Sequence, residues 1–166
     1  MDDARIPIRI LLADDDADDR MLVQEAFGES RLANELFCVE DGVQLMDFLH
    51  RRGAFIAPTL APRPGLILLD LNMPRMGGRE CLIEIKADPS LRDIPVIILT
   101  TSKAEEDIWQ SYQSGANSFI TKPLTFDSLV RTVSALGRYW FEIVELPQRG
   151  TSRADGRHPH SSAVGR

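Results

Sequence analysis

Short apolar runs recur along the chain, and each ends at polar or turn-forming residues. The clearest covers residues 66–70, where Leu66-Ile67-Leu68-Leu69 leads into Asp70 and then the turn signal Asn72-Met73-Pro74. A continuous apolar run bounded by such residues is typical of a strand buried on both faces of a parallel sheet. Similar runs predict further strands at residues 9–13, 36–39, 96–99 and 118–121.

Helical periodicity fills the intervals between these runs. The first helix follows residue 16, and Gly28 is predicted to cap its C-terminus. Further helices are predicted at residues 43–50, 79–87 and 105–114, and a last helix begins near Thr125. Strands that alternate with helices predict an α/β fold, here a flavodoxin-like (βα)5 three-layer sandwich with parallel strand order 2-1-3-4-5.

The chain has 166 residues, enough for one domain with a sizeable core. We predict a domain over residues 1–146, in which residues 139–146 form a C-terminal arm and residues 143–146 a short strand or apolar extension. Residues 147–166 carry mostly Gly, Ser, Arg, His and Pro and are predicted to be a disordered tail. Twenty such residues cannot form a DNA-binding effector domain, so none is expected.

Charge and composition narrow the classes of function. The net charge is −6, and the last twenty residues include four arginines and one aspartate, so the rest of the chain is strongly acidic. An acidic body disfavours DNA as the main ligand, because phosphate contacts need clustered Lys and Arg. No apolar run approaches the length of a membrane span, and the N-terminus does not resemble a secretory signal. Cys38 and Cys81 are expected to be core thiols, and the cytoplasm is the expected location.

Polar side chains follow four of the five predicted strands at their carboxyl ends. These are Asp14 and Asp15 after the first strand, Asp70 after the third, Thr100 after the fourth and Lys122 after the fifth. A single aspartate in such a place is usually a loop cap, but here several carboxylates converge. Two such charges about 4 Å apart repel by roughly 4 kcal/mol at an effective dielectric of 20, so a cation is needed.

Magnesium, or manganese, suits the cluster because it prefers oxygen ligands and retains several waters. Lys122 supplies a further positive charge, and Thr100 supplies a hydroxyl donor. Together these groups could hold a phosphoryl group on a carboxylate, with Asp70 as the nucleophile.

The same residues resemble the receiver domain of two-component response regulators, the CheY-like family, over about residues 8–138. The acidic pair Asp14-Asp15, then Asp70, Thr100 and Lys122-Pro123, match the family pattern in order, as does the loop at residues 73–78. The resemblance implies that Asp70 is the phosphoacceptor for a sensor histidine kinase. It also implies that Asp15 binds the metal directly, that Asp14 acts largely through water and that Asn72 contributes its backbone carbonyl.

The resemblance further implies how the site responds to phosphorylation. Lys122 would pair with the free or phosphorylated carboxylate, and the Lys122–Pro123 peptide would be cis. Thr100 and the adjacent Thr101 would form the phosphoryl-binding and switching segment. Phe119 resembles the aromatic residue that rotates inward on activation. The family more often has Tyr there, so any hydrogen bond from that hydroxyl would be lost.

Within the family, the chain is similar to the short regulators paired with bacterial phytochrome kinases. The features that carry this similarity are the long connection at residues 51–64, the segment at residues 63–74, the segment Leu99-Thr100-Thr101-Ser102 and the ending at residues 139–147. The resemblance implies a phytochrome-type kinase as partner and a homodimer formed through the last helix and the arm. The candidate dimer contacts are Tyr139, Trp140, Phe141 and Ile143.

Other functions fit parts of the pattern. A phosphate sink or phosphorelay intermediate would use the same site, and an unphosphorylated scaffold would keep it only for structure. A haloacid-dehalogenase-type phosphohydrolase also uses an aspartate after a buried strand. The pattern of that family is D-x-D-x-[TV], whereas here Asp14-Asp15-Asp16 is followed by Ala17 and Asp18, so the Thr or Val is missing. We expect a receiver that phosphorylates and dephosphorylates itself, not a multiple-turnover enzyme. Asp16, Asp18 and Asp19 are interpreted as the N-cap and first-turn acids of the first helix.

Overall fold

The computed structural model describes residues 7–57 and 60–143, the last three by their backbone alone. It contains one five-stranded parallel sheet in the order β2-β1-β3-β4-β5, which confirms the predicted flavodoxin-like architecture. The strands are β1 (Ile10–Ala13), β2 (Leu36–Val39), β3 (Leu66–Leu69), β4 (Val96–Thr100) and β5 (Ser118–Thr121). The helices are α1 (Ala17–Glu29), α2 (Gly42–His50), α3 (Gly78–Ala87), α4 (Glu105–Gln113) and α5 (Phe126–Leu136).

The three central strands are buried along their whole length, as their uninterrupted apolar sequences predict. Their register aligns their carboxyl ends, because Ala13 pairs with Leu69, and Leu69 pairs with Ile98. The residues that follow these strands therefore emerge along one edge of the sheet.

Successive strand residues point to opposite faces and enter two separate cores. On β3, Ile67 and Leu69 join the core packed beneath α2 and α3, whereas Leu66 and Leu68 join the core beneath α1 and α5. Each fully buried Leu or Ile contributes about 1.5–3 kcal/mol relative to an exposed side chain. A truncation such as Leu68→Ala would leave a cavity and cost about 2–5 kcal/mol.

The first helix ends later than its glycine predicts. Asp16 caps its N-terminus by accepting hydrogen bonds from the backbone N–H groups of Asp18 and Asp19, as expected. Gly28, the predicted C-cap, lies inside the helix, which continues to Glu29 and is capped by Ser30. The prediction was wrong because the left-handed residue that turns the chain away is Arg31, with a φ of 53°.

The last helix does not give way to an extended arm within the described residues. After Leu136 the chain continues as a π-helical segment over Gly137–Ile143, so the first part of the predicted arm is helical. A Cβ atom at Gly137 would overlap the Leu32 side chain, so glycine allows this segment to pack closely there. Residues 144–166, with the end of the arm and the predicted tail, lie outside the described residues.

Trp140 corrects the list of dimer candidates. Its side chain is 8% exposed and belongs to the core beneath α1 and α5, together with Leu129, Val133 and Leu136. Tyr139 packs edge-on against Trp140 but remains 54% exposed. The side chains of Phe141 and Ile143 lie outside the described residues.

In the described part of the chain, no helix is both long enough and apolar enough to span a bilayer.

Candidate functional site

Four of the predicted side chains meet at the carboxyl edge of the sheet. Asp14 and Asp70 immediately follow β1 and β3, Thr100 ends β4, and Lys122 follows β5. The backbone fixes their relative positions, because Asp70 N–H donates to Ala13 O at 3.0 Å and Lys122 N–H donates to Thr100 O at 2.7 Å. The parallel register therefore places carboxylates, a hydroxyl and an ammonium group in one site.

The Lys122 ammonium group is the centre of the site. Its Nζ atom lies 2.7 Å from Asp14 Oδ2, 2.8 Å from Asp19 Oδ2 and 3.2 Å from Asp70 Oδ2. Burial alone would lower the pKa of Lys122, but the three carboxylates outweigh this effect and raise it. Lys122 is therefore firmly protonated.

Asp14 is the most enclosed carboxylate. Its side chain is fully buried, and its Oδ1 accepts a hydrogen bond from the Asp16 backbone N–H at 3.0 Å. Burial raises the pKa of Asp14, and the nearby charge of Asp70 acts in the same direction. Lys122 and the Asp16 N–H oppose this rise in pKa without cancelling it. A further positive charge near Asp14 would therefore stabilise its ionised form.

Asp70 is nearly as buried, with 5% of its surface exposed. Its Oδ2 accepts from Lys122, and its Oδ1 accepts from the Asn72 backbone N–H at 3.3 Å. The following helix starts close by, because Gly78 N–H donates to Leu71 O at 2.9 Å. A Cβ atom at Gly78 would overlap the Asp70 carbonyl oxygen, so this close approach requires glycine.

The acidic cluster fits a divalent cation. Asp14, Asp15 and Asp70 each offer a carboxylate oxygen, and these oxygens lie within 4.8 Å of one another. Hard oxygen donors of this kind are the ligands that Mg²⁺ and Mn²⁺ prefer. Asp15 is exposed, so a bound cation could keep water ligands. Asn72 lies in the adjoining loop, and a role for its backbone carbonyl stays a prediction.

The predicted switching residues lie on β4, β5 and the loop between β4 and α4. Thr100 is fully buried, whereas Thr101 is exposed. Phe119 pairs with Ile98 across the sheet and packs partly buried against the core beneath α2 and α3. Its backbone N–H donates to the Tyr112 hydroxyl at 3.2 Å.

The Lys122–Pro123 peptide is trans, since no cis peptide occurs among the described residues. The expectation of a cis bond was therefore wrong for this structure. The trans form is favoured by about 0.5–1 kcal/mol before proline, and Lys122 reaches its carboxylate partners without the cis geometry.

Asp19 is the contact that sequence reasoning missed. It was interpreted only as a first-turn acid of α1, yet its carboxylate accepts a hydrogen bond from Lys122 Nζ. The available signal was its position one helical turn beyond Asp15, because the first turn of a helix that follows β1 lies above the strand ends.

Two further ion pairs brace the loops around the site. Arg75, which has a φ of 64°, contacts Asp41 through Nε at 3.0 Å and through Nη2 at 3.2 Å. Arg79 Nη2 lies 3.0 Å from Asp107 Oδ1, and Asp107 Oδ2 accepts from the Ser102 hydroxyl at 2.6 Å. The loop after Asp70 is thus tied to α2, and the loop after Thr100 is tied to α3 and α4.

Comparison with known proteins decides the family. The response regulator receiver domain family matches residues 10–134. The chain belongs to this family. The shared segment runs from β1 nearly to the end of α5, so the receiver domain includes every strand and every site residue described above.

Several relatives cover nearly the whole receiver domain. Response regulator Rcp1 of Synechocystis is 42% identical over 146 residues, which make up 88% of this chain and 97% of that protein. Its Mn²⁺-bound crystal structure covers 86% of this chain and all of that chain, with a TM-score of 0.77. The phosphorylated cyanobacterial phytochrome response regulator RcpA is 40% identical with the same coverage and a TM-score of 0.80.

The family resemblance is not confined to light signalling. A probable methanogenesis regulatory protein, FilR2 of Methanothrix harundinacea, is 36% identical over 140 residues, which make up 83% of this chain and 86% of that protein. The receiver is thus related to phytochrome response regulators and also to a regulator named for another pathway.

Proposed function

We propose that this protein is a two-component response regulator that accepts a phosphoryl group on Asp70 from a sensor histidine kinase. The observation that carries the proposal is the contact between Lys122 Nζ and Asp70 Oδ2 at 3.2 Å, beside a cluster of three carboxylates suited to a divalent cation. A buried carboxylate with adjacent positive charge is poised both to attack phosphorus and to tolerate the charge that results.

The transfer step is a displacement at phosphorus. An Asp70 carboxylate oxygen forms the new P–O bond while the P–N bond of the kinase phosphohistidine breaks, and the imidazole nitrogen leaves with the electron pair. Lys122 offsets the charge on the phosphoryl oxygens, and Asp14 and Asp15 would hold a cation beside them. Hydrolysis by one water then releases phosphate and restores the Asp70 carboxylate, so each cycle consumes one phosphodonor and one water.

A divalent cation, Mg²⁺ or Mn²⁺, would supply Lewis-acid neutralisation of the phosphoryl oxygens when bound. Asp14, Asp15 and Asp70 would hold it, with the Asn72 carbonyl as a further ligand. The Mn²⁺-bound structure of the relative Rcp1 supports this choice of cofactor.

Phosphorylation of Asp70 would change the conformation of the segment at the end of β4. Thr100 and Thr101 would bind a phosphoryl oxygen, and movement of Thr100 would leave space for Phe119 to pack further inward. Trp109 and Tyr112 on α4 are 63% and 49% exposed, and exposed aromatic residues favour output by protein–protein contacts. Tyr139 on the terminal helical segment remains a candidate contact for a homodimer, as do Phe141 and Ile143.

We further propose a phytochrome-type kinase as the donor and the cytoplasm as the place of transfer. The identity to Rcp1 and to the phytochrome regulator RcpA, together with the long connection between α2 and β3, supports this pairing. Phosphotransfer from a purified phytochrome kinase should exceed transfer from an unrelated histidine kinase. Equal transfer from both would overturn the pairing but leave the receiver function intact.

The receiver function is tested by incubation with acetyl phosphate and Mg²⁺, followed by intact-protein mass spectrometry. The wild type should gain the mass of one phosphoryl group. Asp70→Asn should gain none, whereas Asp47→Asn, which changes an aspartate on α2, should label like the wild type. Equal labelling of Asp70→Asn would contradict the proposal.

A further inference from the structure

The Lys122 ammonium group has a partner outside the expected metal and phosphoryl site. An ammonium group carries three N–H donors, and three carboxylates lie within 3.2 Å of Lys122 Nζ. Asp14 and Asp70 belong to the cluster that fits a divalent cation, but Asp19 does not. When a cation binds Asp14 and Asp70, the contact between Asp19 and Lys122 would therefore remain.

Asp19 is well placed to act as a fixed anchor. It lies in the first turn of α1, and its backbone N–H donates to the N-cap Asp16 at 3.1 Å. Its side chain is 32% exposed, while that of Lys122 is only 12% exposed. The pair therefore joins the start of α1 to the end of β5. The Lys122 ammonium group is largely shielded from water, and charge interactions are stronger in such an environment than at the surface.

The other two partners of Lys122 have competing roles. A cation bound by Asp14 and Asp70 would compete with Lys122 for these carboxylates. A phosphoryl group on Asp70 would present new oxygen atoms to Lys122. Without Asp19, the ammonium group would be positioned only by Asp14 and Asp70. It would then shift whenever a cation or a phosphoryl group engages these carboxylates, because no other contact would hold it beside the acceptor.

We propose that Asp19 is a positioning residue for phosphoryl transfer to Asp70, and that it acts by holding Lys122 Nζ between α1 and the acceptor carboxylate. This inference rests on the proposed function. Asp19 touches neither the reacting phosphorus nor the expected cation, so its whole effect passes through Lys122.

The experiment measures the rate of Asp70 phosphorylation by acetyl phosphate at saturating Mg²⁺. Asp19→Asn should slow this rate about tenfold, because small displacements of a charge-stabilising group are costly. Asp19→Glu keeps the carboxylate and should restore part of the rate. Asp18→Asn removes the same charge from the same helical turn and should change the rate less than about twofold, since exposed charges are screened.

A double-mutant cycle separates positioning from a general charge effect. In a Lys122→Met background, adding Asp19→Asn should change the rate less than about twofold. The ¹⁵Nζ resonance of Lys122 gives a readout that does not depend on activity, and it should shift in Asp19→Asn but not in Asp18→Asn. Equal rates in Asp19→Asn and Asp18→Asn, or an unshifted resonance, would overturn the inference. Failure of the wild type to label, or labelling of Asp70→Asn, would instead overturn the proposed function.

Discussion

Lys122 Nζ and Asp70 Oδ2 lie 3.2 Å apart at the end of two strands that are not neighbours in the sheet. The strand between them, β4, ends at Thr100, whose carbonyl oxygen accepts from the Lys122 backbone N–H, and Asp14 Oδ2 approaches the same ammonium group at 2.7 Å. A buried carboxylate thus already faces a cation before any phosphoryl group arrives.

Replacing Lys122 with methionine should remove that cation while keeping most of the side-chain volume. Loss of one charge-stabilising donor typically costs about 10²–10³ in rate, so phosphorylation by acetyl phosphate should slow by at least about 100-fold. Mg²⁺ should also raise the melting temperature more than in the wild type, because no ammonium group competes for Asp14 and Asp70. Lys103→Met, a change at an exposed lysine, is the control, and a similar loss of rate in both variants would refute this role.

Asp15→Asn should weaken the binding of Mg²⁺ without unfolding the domain. The substitution removes one of three clustered carboxylates, and isothermal titration should show an increase in Kd of about tenfold or more. Asp16→Asn is the matched control, because asparagine also caps helix N-termini well and the lost charge lies one residue away. Chelation with EDTA should abolish labelling of the wild type, and comparable Kd values for the two variants would argue against the site.

The Asp41–Arg75 pair should make the domain sensitive to acid. Burial acts to raise the pKa of Asp41, but hydrogen bonds from the Gln44 N–H and from Arg75 outweigh it and lower the pKa below 3.8. A lowered pKa in the folded state stabilises the fold above the unfolded-state pKa, and this contribution is lost as the pH falls through the folded-state value.

Asp41→Asn keeps the N-cap of α2 but removes the charge, so it should lower the free energy of unfolding by about 1–2 kcal/mol at neutral pH. Urea unfolding between pH 7 and 3 should show that the difference from the wild type shrinks as the pH falls. A difference that stays constant over this range would show that ionised Asp41 does not stabilise the fold.

Alanine variants of Trp140 and Tyr139 should distinguish an effect on folding stability from an effect on self-association. Trp140→Ala empties a buried site and should cost about 3–5 kcal/mol in urea unfolding. Tyr139→Ala changes a side chain that is 54% exposed and should cost less than about 1 kcal/mol. If the terminal helix forms a homodimer, sedimentation equilibrium should show weaker association for Tyr139→Ala only. Equal unfolding energies for the two variants would contradict the core position of Trp140.

The strand order and the main site residues could be predicted because they depend on local patterns and a simple topology. A fully apolar run such as Leu66–Leu69 has few alternatives to a buried strand, and parallel strands bring their carboxyl ends to one edge. Asp14, Asp70 and Lys122 therefore meet as expected.

The features that were missed depend on tertiary placement. Asp19 has a sufficient local explanation as a first-turn acid, and only the tertiary structure shows its contact with Lys122, the residue that follows β5. Trp140 was expected near a partner subunit because it adjoins Phe141 on a terminal helix. Trp140 follows Leu129, Val133 and Leu136 at the spacing of one helix face, and all four lie in the same core. An apolar residue on that face fits either a core or a subunit contact, and only the tertiary packing decides between them.

The chemical form of the phosphorylated protein identifies its acceptor residue directly. Borohydride reduces an aspartyl phosphate to homoserine, so labelling with acetyl phosphate and Mg²⁺, reduction and peptide mapping would locate the acceptor. We predict homoserine at position 70 and at no other aspartate. Phosphate on a serine or threonine, or homoserine at Asp14 or Asp15, would contradict the assignment of Asp70 as the phosphoacceptor.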